Sequence, residues 1–324
     1  MSMDLSNIIL APWINGVLVA AIRLNVFTIL NDRELTLGEI ASESRAVPER
    51  LEPLLDACVR LGLLEFMDRT YKNAHLGAVY FVEGNQFYIG DFLKLLNDEA
   101  LQWYQLPSIL LGEEKKDVEW PGLKADRQTF ISAMNGIGQL GEANALKEHT
   151  DLSGVKSLTD AGGGSGLYSL TLCQNYPELH STILDLKDTL AITRKIIADS
   201  PCKNRIHLKE GDFFKDPLGN NLDAVLLSDV MYGEAGAKDI LRNAWNSLSD
   251  KGLLIVRGYY ADPGHSGPLF GALFAVKLLV DDPHQKNMSI SDLAGNITEA
   301  GFSIQKMEPL TERSYVLVAH KQIT

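Results

Sequence analysis

The chain has 324 residues, 45% hydrophobic and 22% charged, a composition that supports a sizeable core and leaves room for two domains. Its 42 acidic residues outnumber 30 basic ones for a net charge of −12, which opposes contact with nucleic acid or an anionic membrane and favours small-molecule chemistry. The longest apolar runs, residues 8–19 and 269–280, read as interrupted or too short to cross a bilayer, so no membrane partner is expected. The start lacks the basic region of a secretory signal, and Cys58, Cys173 and Cys202 show neither disulfide nor metal-ligand spacing. A cytoplasmic setting, buried thiols and no metal follow as expectations.

The first third reads as helical. Ile14, Val17, Leu18, Ala21, Leu24 and Ile29 recur near helical spacing. Thr36 and Glu39 have the spacing of a capping box, which predicts a second helix. A third follows Val47, with Pro48 suited to a first turn and Leu51, Leu54, Leu55, Cys58, Val59 and Leu61 as its buried face. Residues 63–66 and 71–73 then flank polar Asp68, Arg69 and Thr70 as a hairpin. Three helices and a hairpin make a winged helix. Residues 36–75, however, hold five basic side chains against seven acidic ones, the wrong sign for reading phosphates. The module is therefore expected to pack or dimerise. Ile8, Leu10, Trp13, Ile14 and Val17 give the first helix more apolar surface than one neighbour covers, which predicts a homodimer.

Residues 113–123 read as a loop, and 129–149 as one linking helix despite Gly136, Gly138 and Gly141. The expected division is a helical domain over 1–112, a linker and connecting helix over 113–150, and an α/β domain over 151–324. In the last, short apolar runs alternate with longer amphipathic ones, the pattern of a parallel sheet with helices on both faces. The predicted strands are 157–160, 181–185, 205–209, 223–228 and 252–257, with 302–307 and 314–320 as an antiparallel pair.

The chemistry gathers at the ends of these strands. After the first comes Asp160-Ala161-Gly162-Gly163-Gly164-Ser165-Gly166 and then a helix, an arrangement that brings bare backbone close to a ligand at a helix N-terminus. The dinucleotide fingerprint needs a third glycine at a fixed place, where this chain has Leu167 or Ser169, so the nicotinamide reading loses ground. Asp185 ends the second strand, where an acid can accept from both hydroxyls of a ribose. Gly211-Asp212-Phe213-Phe214 follows the third, offering an acceptor for an adenine amino group and an aromatic cover.

With these motifs the chain resembles the small-molecule O-methyltransferases of plant and bacterial secondary metabolism. The resemblance runs through residues 20–27, 60–64, the glycine turn, 183–186, 211–214 and 300–302. It implies a winged-helix dimerisation domain ahead of a class I, Rossmann-like methyltransferase domain. It also implies a seven-stranded sheet with its last strand antiparallel, a homodimer, and methyl transfer from S-adenosylmethionine. Carried over residue by residue, Asp160, Gly162, Gly164 and Gly166 hold the methionine end of the cofactor, Asp185 the ribose, and Asp212 with Phe213 the adenine. Leu186 and Ser228 join the cofactor set. The acceptor pocket falls to Trp103 and Tyr104, Phe130 and Met134, and Phe270 and Phe274, each of which also suits a core.

The chain departs from the family where acceptor chemistry is concerned. Relatives that methylate phenols carry Leu-His-Asp-Trp after the fourth strand, with the histidine as base. Here Met231-Tyr232-Gly233-Glu234 puts Tyr232 in that slot, and Asn287 stands where the partner acid belongs. A phenol with a pKa of about 10 is a poor base at neutral pH, so Tyr232 either orients the acceptor or forms a wall. His265, in the loop after the fifth strand, is a second catalytic candidate. His284 with Asp281 and Asp282 lacks the companions a metal needs. Methyl transfer to oxygen, carbon or nitrogen of an aromatic or polyketide-like molecule is the leading reading. A cofactor-binding enzyme of another reaction class, pericyclic, decarboxylating or hydroxylating, is the alternative, and a non-catalytic winged-helix regulator the third.

Overall fold

A computed structural model describes residues 4–114, 126–284 and 287–322, so most of the predicted loop lies outside the described residues. The chain divides into two compact units, Met1–Ala100 with Gly122–Ile137, and Leu101–Pro121 with Gly138–Thr324.

The helices before the sheet are α1 (Leu5–Arg23), α2 (Val26–Ile29), α3 (Leu37–Ser44), α4 (Pro48–Arg60), α5 (His75–Tyr80), α6 (Gly90–Trp103), α7 (Leu106–Leu110) and α8 (Arg127–Ile137). A small sheet joins β1 (Leu35–Thr36), β2 (Leu64–Met67) and β3 (Thr70–Asn73) in the order β1-β3-β2. The capping box forms as predicted: Thr36 and Glu39 satisfy each other's backbone N–H at the start of α3. Pro48 occupies the first turn of α4, and Leu51, Leu55 and Cys58 are buried beneath it. The β2–β3 turn is two residues, Asp68 and Arg69, both at positive φ, the twist that matches a hairpin. β1 was not foreseen, because two residues show no period.

α1 is longer than the apolar run of residues 8–19: its 19 residues, Leu5–Arg23, with mean hydropathy 1.8, meet the length and composition of a membrane-crossing helix, a test that a core helix of a soluble protein also meets. Leu5, Ile9 and Trp13 on it are 64–74% exposed.

The predicted linking helix is also corrected. It breaks after α8 into a π-helical turn, Gly138–Glu142, where Leu140 and Gly141 leave helical geometry. α9 (Ala143–His149) resumes beyond it. Gly141, at φ +100°, takes a conformation that a side chain resists.

The second unit continues with β4 (Ser157–Ala161), α10 (Leu167–Asn175), β5 (His180–Asp185), α11 (Lys187–Ile197), β6 (Ile206–Glu210) and β7 (Leu222–Ser228). It ends with α12 (Glu234–Ser247), β8 (Leu248–Gly258), α13 (Leu269–Asp281), α14 (Ile290–Glu299), β9 (Phe302–Pro309) and β10 (Tyr315–Lys321). The seven strands lie in the order β6-β5-β4-β7-β8-β10-β9, with β10 antiparallel to both neighbours. Both faces are covered. Ala224, Leu226 and Ile255 pack with Leu146, Leu172 and Ile197, while Val225, Leu227, Leu254 and Val256 pack with Ile240, Leu241, Leu293 and Ile297. Strand order reverses between β4 and β7, so their C-terminal ends open a crevice of the kind in which α/β sheets bind ligands.

Candidate active site

The glycine turn closes the end of β4. Gly162, Gly164 and Gly166 have φ of +72°, +54° and +80°. A Cβ on Gly162 would meet Val230 at 2.7 Å and Phe213 at 3.0 Å, and one on Gly166 would meet Ile183 at 2.8 Å. Both need to be glycine on two counts, conformation and space. Asp185 ties the turn to β5: one carboxylate oxygen accepts from Gly164 N–H at 2.9 Å and the other from Leu186 N–H at 2.7 Å.

Below the turn, Asp160 is fully buried. Ser169 donates to its Oδ2 at 2.8 Å, while Oδ1 has no partner among the described residues. Burial pushes this carboxyl up to about 6, with the Asp185 charge adding to the rise and the Ser169 hydrogen bond opposing it. A buried acceptor left open under a glycine cradle fits a cofactor that brings a cationic or donor group. After β6, Asp212 caps the next turn by accepting from Phe214 N–H and pairs with Lys215 at 2.9 Å. Phe213 lies against Gly162, and Phe214 sits 4.6 Å from it, ring to ring.

The ends of β7 and β8 hold a second cluster of side chains, of which Arg257 and Glu142 carry no sequence motif. Asp229, directly after β7 and Ser228, stands at φ +58°, a strained geometry for a residue with a Cβ. It pairs with the Arg257 guanidinium at the end of β8 and accepts from Tyr232 Oη at 2.5 Å. Arg257 is completely buried and reaches Glu142 of the π-helical turn at 2.6 Å. Glu142, also fully buried, accepts further from Ser314 at 2.5 Å, Thr311 at 2.7 Å and Arg313 at 3.1 Å. Burial works against every charge here, but Asp229 and Glu142 hold Arg257 protonated, and Arg257 with the two hydroxyls keeps Glu142 below its ordinary value. Burial raises Asp229 above its ordinary range, Arg257 opposing. The same burial, together with the Asp229 charge, holds the Tyr232 phenol well above its own. Tyr232 therefore stays protonated.

Rings surround this chain of charges. Tyr232 meets Phe274 at 4.9 Å and Tyr260 at 5.5 Å, and Tyr259 meets Phe270 at 4.6 Å. The Arg257 guanidinium lies 4.2 Å over the Tyr259 ring. Asp229, Tyr232, Phe214 and Leu278 help line a cavity of about 270 Å³. Asn287 lies beside Tyr232, since Gly233 and Asn287 bridge and Met288 N–H donates to the Tyr232 carbonyl.

Of the predicted acceptor residues, Phe270 and Phe274 thus join Tyr232. Trp103 and Tyr104 are exposed, Tyr104 at 82%, and Phe130 and Met134 lie on α8 in the first unit, Phe130 exposed. His265 is exposed, at φ +56° in a turn organised by the Asp262 carboxylate. Arg257 had a visible signal, a charge ending the run Leu253–Val256. Glu142, 115 residues away, had none.

A family model described as the O-methyltransferase domain matches residues 123–303, and one described as the O-methyltransferase dimerisation domain matches 6–83. A 3-hydroxy-5-methyl-1-naphthoate 3-O-methyltransferase from Streptomyces sahachiroi is 30% identical over 289 residues, 85% of this chain and 82% of that one. An N,N-dimethyltransferase from Streptomyces rimosus is 25% identical over 301 residues, 89% of this chain and 87% of its own. Among solved structures, human N-acetylserotonin methyltransferase in complex with SAM superposes with a TM-score of 0.83 at 22% identity, over 99% of both chains. The chain belongs to the O-methyltransferase family, with a dimerisation domain ahead of its methyltransferase domain.

Proposed function

We propose that the protein transfers the methyl group of S-adenosylmethionine to a hydroxyl, amine or carbon of an aromatic or polyketide-like small molecule, and that it does so by positioning, without a histidine base. The observation that carries this reading is the crevice itself. A glycine turn with no room for a Cβ at Gly162 or Gly166, with Asp185 beside it and an open buried acceptor on Asp160 beneath it, leads to a cavity lined by Asp229 and Tyr232. Gly162, Gly164 and Gly166 with Asp160 are the residues to hold the methionine end, Asp185 with Leu186 the ribose, Phe213 and Asp212 the adenine, with Ser228 alongside. The bound cofactor supplies a methyl group already activated on sulfur.

The chain's own residues then have three tasks. Phe270, Phe274 and Tyr259 present apolar faces that hold a planar acceptor and exclude water. Tyr232 orients the acceptor's nucleophilic atom through its hydroxyl. The Asp229–Arg257–Glu142 line, fully buried at Arg257 and Glu142, keeps Tyr232 from turning. Holding reactants in line removes a large share of the barrier to such a displacement. Tyr232 would hold the acceptor's nucleophilic atom toward the methyl group that the bound cofactor would supply, and the proton released from the acceptor would pass to solvent.

Incubation with methyl-labelled donor and a metabolite extract of the source organism tests this: label in a small molecule supports it. A changed but unlabelled metabolite points to the second reading, a non-methylating reaction, which the missing histidine keeps open. The acidic first unit argues against a regulator. The exposed face of α1 supports a homodimer, and removal of residues 1–19 is expected to give aggregation. An active monomer from that truncation contradicts it. The three unpaired buried thiols suit a reducing compartment such as the cytoplasm.

A further inference from the structure

The geometry points to a filter on the protonation state of the acceptor: the Asp229–Tyr232 pair takes a neutral aromatic hydroxyl or N–H donor and rejects the same molecule as an anion. The inference rests on the methyl-transfer reading and says which form of acceptor that site holds.

It follows from counting hydrogen-bond roles at Tyr232 Oη. Asp229 is paired to the fully buried Arg257, so its carboxylate offers lone pairs only. Tyr232 commits its one proton to Asp229 Oδ1 at 2.5 Å. Its oxygen already accepts from the Tyr259 N–H at 3.3 Å. What remains on Tyr232 is one lone pair, and both Tyr232 and Asp229 line the same cavity. A ligand meeting this pair must bring the proton. A phenolate or carboxylate would set its charge against the Asp229 carboxylate and an oxygen lone pair, where neither of these two side chains has a proton to offer it.

The remaining neighbours leave that polarity in place. Asp229 faces Arg257, Tyr232 and Ser228, with Glu142 behind Arg257. Tyr232 faces Asp229, the Tyr260 and Phe274 rings and the Tyr259 backbone. Among the described residues Arg257 is the nearby cation, with Nη1 on Asp229, Nη2 on Glu142 and its buried Nε without a partner, and the Tyr168 and Tyr259 rings face it. The Tyr260 hydroxyl donates to the Met231 carbonyl at 2.8 Å. The elevation of the Tyr232 phenol above its ordinary range agrees, since the proton stays on oxygen throughout neutral pH.

The test uses 4-nitrophenol as probe, because its phenolate absorbs visible light and its phenol form does not. The full-length protein, saturated with S-adenosylhomocysteine, is titrated with the probe across the probe's own pKa. The bound probe is expected to be colourless, with apparent affinity falling about tenfold for each pH unit above that pKa. Tyr232→Phe leaves the Asp229–Arg257 pair intact and is expected to weaken neutral-probe binding about threefold to tenfold. Asp229→Asn removes the negative charge that repels an anion and weakens the acceptor that holds the tyrosine proton, so the coloured phenolate is expected to bind. That spectral change is one a merely structural role for Asp229 would not produce. A coloured bound probe on the wild-type protein overturns the filter, and so does a wild-type protein that binds neither form. Should Asp229→Asn not fold, the wild-type spectrum and the Tyr232→Phe titration still decide. Calorimetry with S-adenosylhomocysteine on the same sample separates the two claims: no cofactor binding removes the methyl-transfer reading and the filter with it, whereas cofactor binding beside a coloured probe removes the filter alone.

Discussion

The ends of β4 and β5 and the ends of β7 and β8 open on one edge of the same sheet, yet they are built by opposite means. The first pair is a backbone device. Glycines remove side chains, and Asp185 pins the Gly164 N–H in place over a span of 21 residues. The second pair is a side-chain device, in which Arg257 joins Asp229 and Glu142 across 28 and 115 residues. A backbone device suits a ligand whose shape never changes, the cofactor. A side-chain device can be rebuilt for a different acceptor while the cofactor edge stays as it is, which is the difference between these two edges that matters for function.

The largest expected effect falls on the side-chain edge. Arg257→Met strands two carboxylates, one of them fully buried, and is expected to lose about 3–5 kcal/mol of stability, the typical result of breaking a buried pair from one side. Denaturant unfolding measures it, and a loss below about 1 kcal/mol would mean that the network is not integral to the fold. Adding Glu142→Gln to that variant is expected to return part of the loss.

Asp185→Ala probes the backbone edge. It removes an anchor of the turn together with the ribose acceptor, so calorimetry is expected to show S-adenosylmethionine binding weaker by about 1.5–3 kcal/mol per charge-assisted hydrogen bond. Unchanged affinity would place the ribose elsewhere.

Asp160→Asn sharpens the contrast through pH. Folding raises this carboxyl from near 3.8 to about 6, so the folded state binds its proton more tightly than the unfolded chain does. The stability this contributes is fully present below pH 4 and lost as pH rises through 6. The asparagine variant is expected to lack that slope and, unliganded, to be more stable at pH 7 by about 1–3 kcal/mol. Melting curves at pH 4 and pH 7 check it: a variant with the wild-type slope would show that another group, such as Asp229, carries the dependence.

The same contrast explains what was legible in the sequence. Backbone requirements leave local marks. The glycine turn, the acid ending β5, the Thr36–Glu39 capping box and the short apolar runs of the sheet could all be read at their own positions. Glu142 could not, because a glutamate between Gly141 and Ala143 looks the same on a solvated helix as in a buried ion cluster. Its role depends on Leu140 and Gly141 breaking the helix, and on Ser314 and Thr311 arriving from the turn between β9 and β10. Asp229, three residues before Tyr232, could be read as a charge that would raise the phenol if it came near, but its left-handed backbone and its pairing with Arg257 come from the sheet's register and not from neighbours in sequence. Tyr232 was found only by comparison with the family's histidine. Its protonated state became readable once Asp229 and burial were seen together.

The most direct test of the central claim is single-turnover methyl transfer from labelled S-adenosylmethionine to an identified acceptor, measured across pH for the wild type, Tyr232→Phe and His265→Ala. If Tyr232 positions the acceptor through one neutral hydrogen bond, Tyr232→Phe is expected to lose about 0.5–1.5 kcal/mol of transition-state binding. Its pH profile should keep the wild-type shape, and His265→Ala should be silent. A drop of roughly 10²–10⁴-fold with an altered pH profile in either variant would contradict the account, identifying that residue as the proton-transfer group.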